Sequence, residues 1–250
     1  MSSEILCSNI FGGLGNQLFM LAAAIEYATK HKKVLAFIYS DAARENHFGF
    51  STELPRGINW NTVYKEPIFS FTEIPYFTGN IFMSGYFQSS KYFSRAIVDT
   101  ITIPKTPAYI FPPIPSSKTP VCIHIRRGDY IGRENYHITQ PPEYYTQAVS
   151  VLRGKVSDPH FLIFSDDIEY ASATQIGDIA DYEKTIVDLC DKDSINVMKE
   201  CKHFIIANST FSWWGAVMGG YETVVAPKRW FGNDGPQDWA DIYERDWIVL

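Results

Sequence analysis

The sequence holds little cysteine, no excess of positive charge and no long apolar run, and each shortage narrows the field. Its four cysteines, Cys7, Cys122, Cys190 and Cys201, include no pair at CxxC spacing. Cys7 and Cys122 lie in apolar, strand-like runs, so four reduced and mostly buried thiols are expected rather than two disulfides or a zinc site. Lysine and arginine number 22 against 28 aspartates and glutamates, a net charge of −6. General nucleic-acid binding needs a cationic surface and is not expected here. An anionic ligand would have to be held by local charge and backbone N–H groups. No segment approaches the roughly 20 apolar residues of a membrane span, and the most apolar helical stretch, residues 18–28, contains Glu26. Residues 1–10 lack the basic region of a secretory signal. A cytoplasmic protein without a transmembrane segment is expected, with peripheral membrane association left open. Repeats and low-complexity tracts are missing too. With 46% hydrophobic and 20% charged residues among 250, the chain is an ordinary globular one, large enough for one large or two small domains.

What is present is strong punctuation. Pro104, Pro107, Pro112, Pro113, Pro115 and Pro120 crowd residues 103–120. Proline removes a donor and blocks helix, so this stretch reads as an extended connector. It separates an N-terminal lobe at 1–103 from a C-terminal lobe at 121–250, with the connector at 104–120. The first lobe opens with a strand at 5–10, a glycine turn, a helix from about 16 to 30 and a strand at 34–39, a β-α-β unit. In the second, strands read at 121–125, 161–165, 204–207 and 223–226, and helices at 142–153, 194–201 and 212–218. This alternation implies an α/β fold with mostly parallel sheets, in which ligands bind outside the carboxyl ends of the strands.

Polar residues collect at those ends. The first strand runs into Gly12, Gly13, Leu14, Gly15 and Asn16; the strand at 121–125 into Arg126, Arg127, Gly128 and Asp129; that at 161–165 into Asp166 and Asp167; that at 204–207 into Asn208, Ser209 and Thr210, before a helix. All four are expected on one rim. Together they suit a nucleoside diphosphate: guanidinium forks bind phosphate bidentately, a helix N-terminus offers free donors, and Asp166 or Asp167 could accept from the N1–H and amine of guanine. Asn16 and Gln17 read as amides aimed at a ligand. His124, on the same strand face as Cys122, reads as a positioning residue beside Arg126 rather than a metal ligand. The glycine turn resembles a dinucleotide fingerprint, but Leu18 stands where its third glycine should be, which argues against NAD. Asp191-Lys192-Asp193 is a DxD sequence, read as a solvated acidic loop rather than a cation site. No nucleophile motif such as GxSxG is present.

These residues also match a known family. GGLGNQLF from Gly12 to Phe19, the block Gly85-Tyr86-Phe87-Gln88-Ser89 with Lys91-Tyr92-Phe93, His124-Ile125-Arg126-Arg127-Gly128-Asp129-Tyr130, Phe164-Ser165-Asp166-Asp167, and CKHFIIANSTFSWWGA from Cys201 to Ala216, followed by Ala226-Pro227-Lys228-Arg229-Trp230-Phe231, occur in order along nearly the whole chain. They resemble the bacterial-type α1,2-fucosyltransferases of glycosyltransferase family 11. The resemblance implies a GT-B-like fold of two facing Rossmann-like lobes, with GDP-fucose held mainly by the C-terminal lobe. It also implies inverting transfer of L-fucose to a sugar hydroxyl with no metal or other cofactor. Carried over, Arg126 would contact the β-phosphate, Ser209, Thr210 and Phe211 would close round the diphosphate, Asp166 would contact guanine, Asp129 would orient the pocket and Asn16 would sit near the reacting centre. Gly13, Gly15, His124, Asp167 and Asn208 complete the expected binding set. For the general base, Asp129, Glu134 and His137 all remain candidates. A related transferase using another GDP-sugar or linkage, and a glycan-binding protein without catalysis, are the alternatives. Residues 41–83 carry no alignable motif and are expected to help form the acceptor site.

Overall fold

The structure, a computed structural model, describes residues 4–107, 109–173 and 182–250. Residues 1–3 of the opening stretch and Ala108 of the connector lie outside them. The chain divides into two compact units, Met1–Thr102 with Asp238–Ile242, and Ile103–Gln237 with Tyr243–Leu250.

The first unit contains β1 (Ile5–Ile10), α1 (Leu14–His31), β2 (Val34–Tyr39), β3 (Thr62–Lys65), β4 (Ile81–Ser84) and α2 (Arg95–Thr100). Its strands pair in parallel in the order β2-β1-β4-β3. Helix α1 forms because its centre is rich in alanine, leucine and methionine, residues of high helix propensity. Lys30 and His31 lie at the negative end of its dipole, and the Lys32 N–H, in a left-handed residue, closes on the last carbonyls. Leu14, Leu18, Phe19 and Leu21 are buried, at about 1.5–3 kcal/mol each for full burial. Strand β3, at the sheet edge, alternates between half-buried and exposed positions.

The second unit contains β5 (Thr119–Ile125), α3 (Pro142–Arg153), β6 (Pro159–Ser165), α4 (Ile168–Ala173), β7 (Lys184–Val187), α5 (Asp191–Met198), β8 (His203–Ile205), α6 (Thr210–Gly219), β9 (Thr223–Ala226) and β10 (Ile248–Val249). The parallel sheet runs β10-β9-β8-β5-β6-β7. Central β5 is a continuous buried run from Val121 to Ile125, as expected of a strand covered on both faces. Helix α3 starts on a proline, favoured there because the missing N–H would have had no helical partner. It buries Tyr144, Tyr145, Ala148, Val149 and Leu152 against Val121, Ile123 and Phe161, the i, i+1, i+4, i+5, i+8 stripe of an amphipathic helix. Three thiols, Cys7, Cys122 and Cys201, are buried and free, and Cys190 is exposed and free. Successive strands build outward from β5 to β7, and the chain then returns to lay β8 on the other side of β5. The order reverses between β5 and β8, the position where open parallel sheets hold ligands.

The DxD sequence is not a solvated loop. Asp191–Asp193 form the first turn of α5, and Asp193 is buried. Its carboxylate accepts from the Thr106 N–H at 2.9 Å and from the Thr106 hydroxyl, while Asn196 Nδ2 donates to Ile103 O at 3.1 Å. Asp193 and Asn196 thus anchor the start of the proline-rich connector to α5.

Candidate functional site

The four strand ends belong to two sheets. The tips of β5, β6 and β8 belong to one sheet, whereas the glycine turn ends β1 in the other.

At the tip of β5, Arg126 is gripped from two sides. Its Nη2 donates to Asp129 Oδ1 at 2.6 Å, and its Nη1 lies 3.0 Å from Asp166 Oδ2. The guanidinium sits 5.3 Å from the centre of the Tyr130 ring, within cation–π range. Burial opposes its charge, but Asp166, Tyr130 and Asp129 outweigh burial and raise its pKa, so the cation is permanent. Its Nε is buried without a hydrogen-bond partner among the described residues. Arg127 points elsewhere: its N–H donates to Asp166 Oδ1 at 2.8 Å, its Nε to Asp167 Oδ2 at 3.0 Å, and its guanidinium stacks 3.6 Å from the Tyr170 ring centre. The Tyr170 N–H, then Arg127, hold the Asp167 carboxyl below its ordinary range. Asp166 thus bridges both arginines, one oxygen to each. Gly128 makes this possible, because a Cβ there would overlap Asp166 Oδ2.

At the tip of β8, Asn208 and Ser209 are buried and Thr210 and Phe211 half-buried. Asn208 Nδ2 donates to Trp230 O at 2.8 Å, and its Oδ1 accepts from Gln140 at 3.0 Å. Ser209 caps α6 by accepting from the Phe211 N–H, the role expected of serine there. His124 Nδ1 lies 2.8 Å from Ser212 Oγ, and its ring is 5.6 Å from that of Phe211. Burial, then Arg126, drives its pKa down to about 3, so it is neutral. His124 therefore ties the tip of β5 to the first turn of α6. The Tyr130 hydroxyl adds a second tie, donating to Asn208 O at 3.0 Å. The cationic strand tip and the helix N-terminus thus form one assembly at the sheet's switch point.

The three candidate bases stand apart. Asp129 is engaged by Arg126. Glu134 is exposed and accepts the Gly132 N–H at 2.8 Å, which lowers its pKa. His137 stacks on Tyr130, centres 4.4 Å apart and planes 11° from parallel. Burial lowers its pKa, and its Nδ1 has no hydrogen-bond partner among the described residues.

In the first unit, Gly13 is the N-cap of α1, and Gly15 and Asn16 lie in its first turn. Gly12, at φ +74°, provides the left-handed step into the helix. Asn16 Oδ1 accepts from Gln88 Nε2 at 2.9 Å. Gln17 is not aimed at a ligand: it is buried, and its amide donates to Gly12 O at 2.8 Å and Glu45 O at 2.7 Å. Sequence reasoning missed Tyr130, Tyr170, Gln140 and Ser212 as partners of the site. It also missed Glu66, whose position in the unaligned stretch carried no signal. Among the described residues no group of three His, Cys, Asp or Glu side chains could hold a metal ion, and no helix is long and apolar enough to cross a membrane.

The comparisons agree with this architecture. The O-antigen biosynthesis glycosyltransferase WbnK of Escherichia coli is 35% identical over 135 residues, covering 51% of this chain and 43% of that protein. An α-1,2-colitosyltransferase of E. coli is 29% identical over 184 residues, 66% and 63% of the two chains. The galactoside 2-α-L-fucosyltransferase Sec1 of Mus musculus is 30% identical over 110 residues, 42% and 30%. The chain thus spans between 30% and 63% of the length of these curated relatives. Among solved structures, an arginine-to-lysine mutant of Arabidopsis thaliana FUT1 in complex with GDP superposes with a TM-score of 0.51 at 10% identity, over 90% of this chain and 70% of that one. At that identity the likeness speaks for the fold, α/β with parallel sheets of the GT-B kind. The sequence model of glycosyl transferase family 11 matches residues 61–250, a span holding the whole β5, β6 and β8 assembly, and the chain therefore belongs to that family.

Proposed function

We propose that the protein is an inverting fucosyltransferase, cytoplasmic, moving L-fucose from GDP-fucose to a sugar hydroxyl in α1,2 linkage during glycan synthesis. The observation that carries this reading is the permanent guanidinium of Arg126, held by Asp129 and Asp166 at the tip of β5, the strand whose His124 is tied to the first turn of α6. In the transfer, the bond from fucose C1 to the β-phosphate oxygen breaks and its electron pair stays on the phosphate. The acceptor oxygen bonds C1 from the opposite face and releases its proton. Charge therefore develops on the diphosphate, where preorganised donors act most strongly. Arg126 and the positive end of the α6 dipole supply the stabilisation, so the reading needs no metal. The two guanidiniums of Arg126 and Arg127 pair with the three carboxylates of Asp129, Asp166 and Asp167. An entering diphosphate must take over donors that carboxylates now hold, which favours a ligand offering bidentate oxygens. Asp166, released from Arg126, would be available to guanine.

A thermal-shift panel with GDP, UDP, ADP and NAD⁺ tests the donor class. At about 100 times its Kd, GDP should stabilise the protein by ~2.7 kcal/mol, with or without a chelator, and the others should not. No response to GDP would refute the reading. The relative named α-1,2-colitosyltransferase supports a second reading, a different GDP-sugar on the same diphosphate cradle; turnover of GDP-fucose against other GDP-deoxysugars separates the two.

Of the three candidate bases we assign the proton to His137. Its lowered pKa keeps it neutral at pH 7, whereas Asp129 is held by Arg126 and Glu134 is a weak base capping its own turn. A base works deprotonated, so kcat should fall as pH drops through a pKa below the ordinary 6.5. His137→Gln should lose that acid limb and about 10²-fold in kcat at neutral pH. An unchanged profile would remove the assignment.

A further inference from the structure

Two blocks of the first unit, the glycine turn and the segment from Gly85 to Ser89, are joined by a hydrogen bond from Gln88 Nε2 to Asn16 Oδ1. What places Gln88 there is a carboxylate in the stretch that carries no motif. Glu66 directly follows β3, and its own N–H continues the ladder to Ser84 O at 2.9 Å. Its side chain turns into the loop after β4. Oε2 accepts from the Tyr86 N–H at 2.7 Å, and both oxygens accept from the Phe87 N–H at 3.0 Å. The Tyr92 hydroxyl bonds the same carboxylate. Two successive backbone donors converging on one carboxylate fix the backbone between them. The residue so fixed is unusual: Phe87 is fully buried and has φ +52°, a left-handed conformation that a bulky side chain adopts only under constraint. Gly85 leaves the room, since a Cβ there would overlap Glu66 Cβ and come within 2.9 Å of Oε2. The left-handed step at Phe87 turns the chain so that the next residue, Gln88, is buried with its amide on Asn16.

We infer that Glu66 is a positioning residue for the transfer: by holding Phe87 in its left-handed turn it sets the Gln88 amide, which in turn fixes the orientation of the Asn16 side chain. The donor from Gln88 occupies Asn16 Oδ1 and so directs the Nδ2 donor of Asn16 across the start of α1, where Gly12 leaves space for it. This rests on the reading of Asn16 as lying near the reacting centre, and the test separates the two. In Glu66→Gln, one acceptor oxygen becomes a donor facing two N–H groups. With GDP-fucose and acceptor, the variant should lose about 10-fold in kcat, since small misplacements near the chemistry have such effects. Its Kd for GDP by calorimetry should stay within about twofold of wild type, and in an Asn16→Ala background the same change should cost less than about twofold, because interacting sites are non-additive. Gln88→Met, which keeps the volume and deletes the donor, should repeat the result should Glu66→Gln fail to fold. An equal loss in the Asn16→Ala background for either variant would overturn the inference, as would unchanged kcat in Glu66→Gln or Gln88→Met while Asn16→Ala is impaired. An unimpaired Asn16→Ala would remove the reading of Asn16 and the inference with it.

Discussion

Arg126→Lys is expected to lower kcat by about 10²–10³-fold, the usual loss when a preorganised donor to developing charge is removed, while the protein stays folded. Arg126 presents a planar fork whose two terminal nitrogens meet Asp129 and Asp166 at once. A lysine keeps the charge but offers a single point of contact on a flexible stem, so it cannot bridge both carboxylates or meet a phosphate bidentately. The fold should survive because Arg126 lies beyond the end of β5, partly open to solvent, and the core beneath it is untouched. Circular dichroism and the melting temperature check the fold, and steady-state kinetics with saturating donor reads kcat. Turnover at the wild-type rate would show that this guanidinium does not carry the leaving group. Arg126→Ala is a poorer test, because it leaves Asp129 and Asp166 without the cation between them.

Gly128→Ala should cost about as much in kcat/KM, roughly 10²-fold, through misplacement rather than lost charge. A methyl group at this position would overlap Asp166 Oδ2. Asp166 must then move, and with it go the contact to Arg126 Nη1 and the acceptor of the Arg127 N–H. Gly128 is not among the glycines with positive φ, so backbone strain does not enter and the effect is one of close approach alone. Gly154→Ala is the matched control: this C-cap residue has φ −75°, and its new Cβ would meet only Val151 O at 3.9 Å. Equal activity in the two alanine variants would show that the Asp166 bridge is dispensable.

The parts of this architecture legible in the sequence are those fixed by local rules. Buried β5 and its neighbours appear as short apolar runs, α3 as an amphipathic stripe behind proline, and the site as polar residues after strand ends. Strands β3 and β4 escaped because each has four residues and the edge strand alternates on a partly exposed surface, a pattern that loop sequence also produces. The failures at Asp193 and Gln17 share a cause: each side chain is satisfied by a distant backbone group, 87 residues away for Asp193 and 28 for Gln17. Spacing alone cannot show such partners. Glu66 escaped for the same reason, since its role exists only once β3 and β4 lie side by side and bring Lys65 opposite Ser84. Conversely, the polar tips of β5 and β8 were legible, but not their tie through His124 and Ser212, which depends on the two strands being neighbours.

The short segment 238–242 has a consequence for how the chain matures. Although it lies near the end of the sequence, it belongs to the first unit. There Asp238 accepts the Ser70 N–H at 2.8 Å, and Asp241 accepts the Phe71 N–H at 2.9 Å and pairs with Lys91. During synthesis the first hundred residues leave the ribosome with these amides still uncapped, and they acquire their acceptors only after residues 103–237 of the second unit have been made. The first unit is thus completed only near the end of synthesis, and cutting the gene at the connector would yield an amino-terminal fragment lacking its own closing clasp.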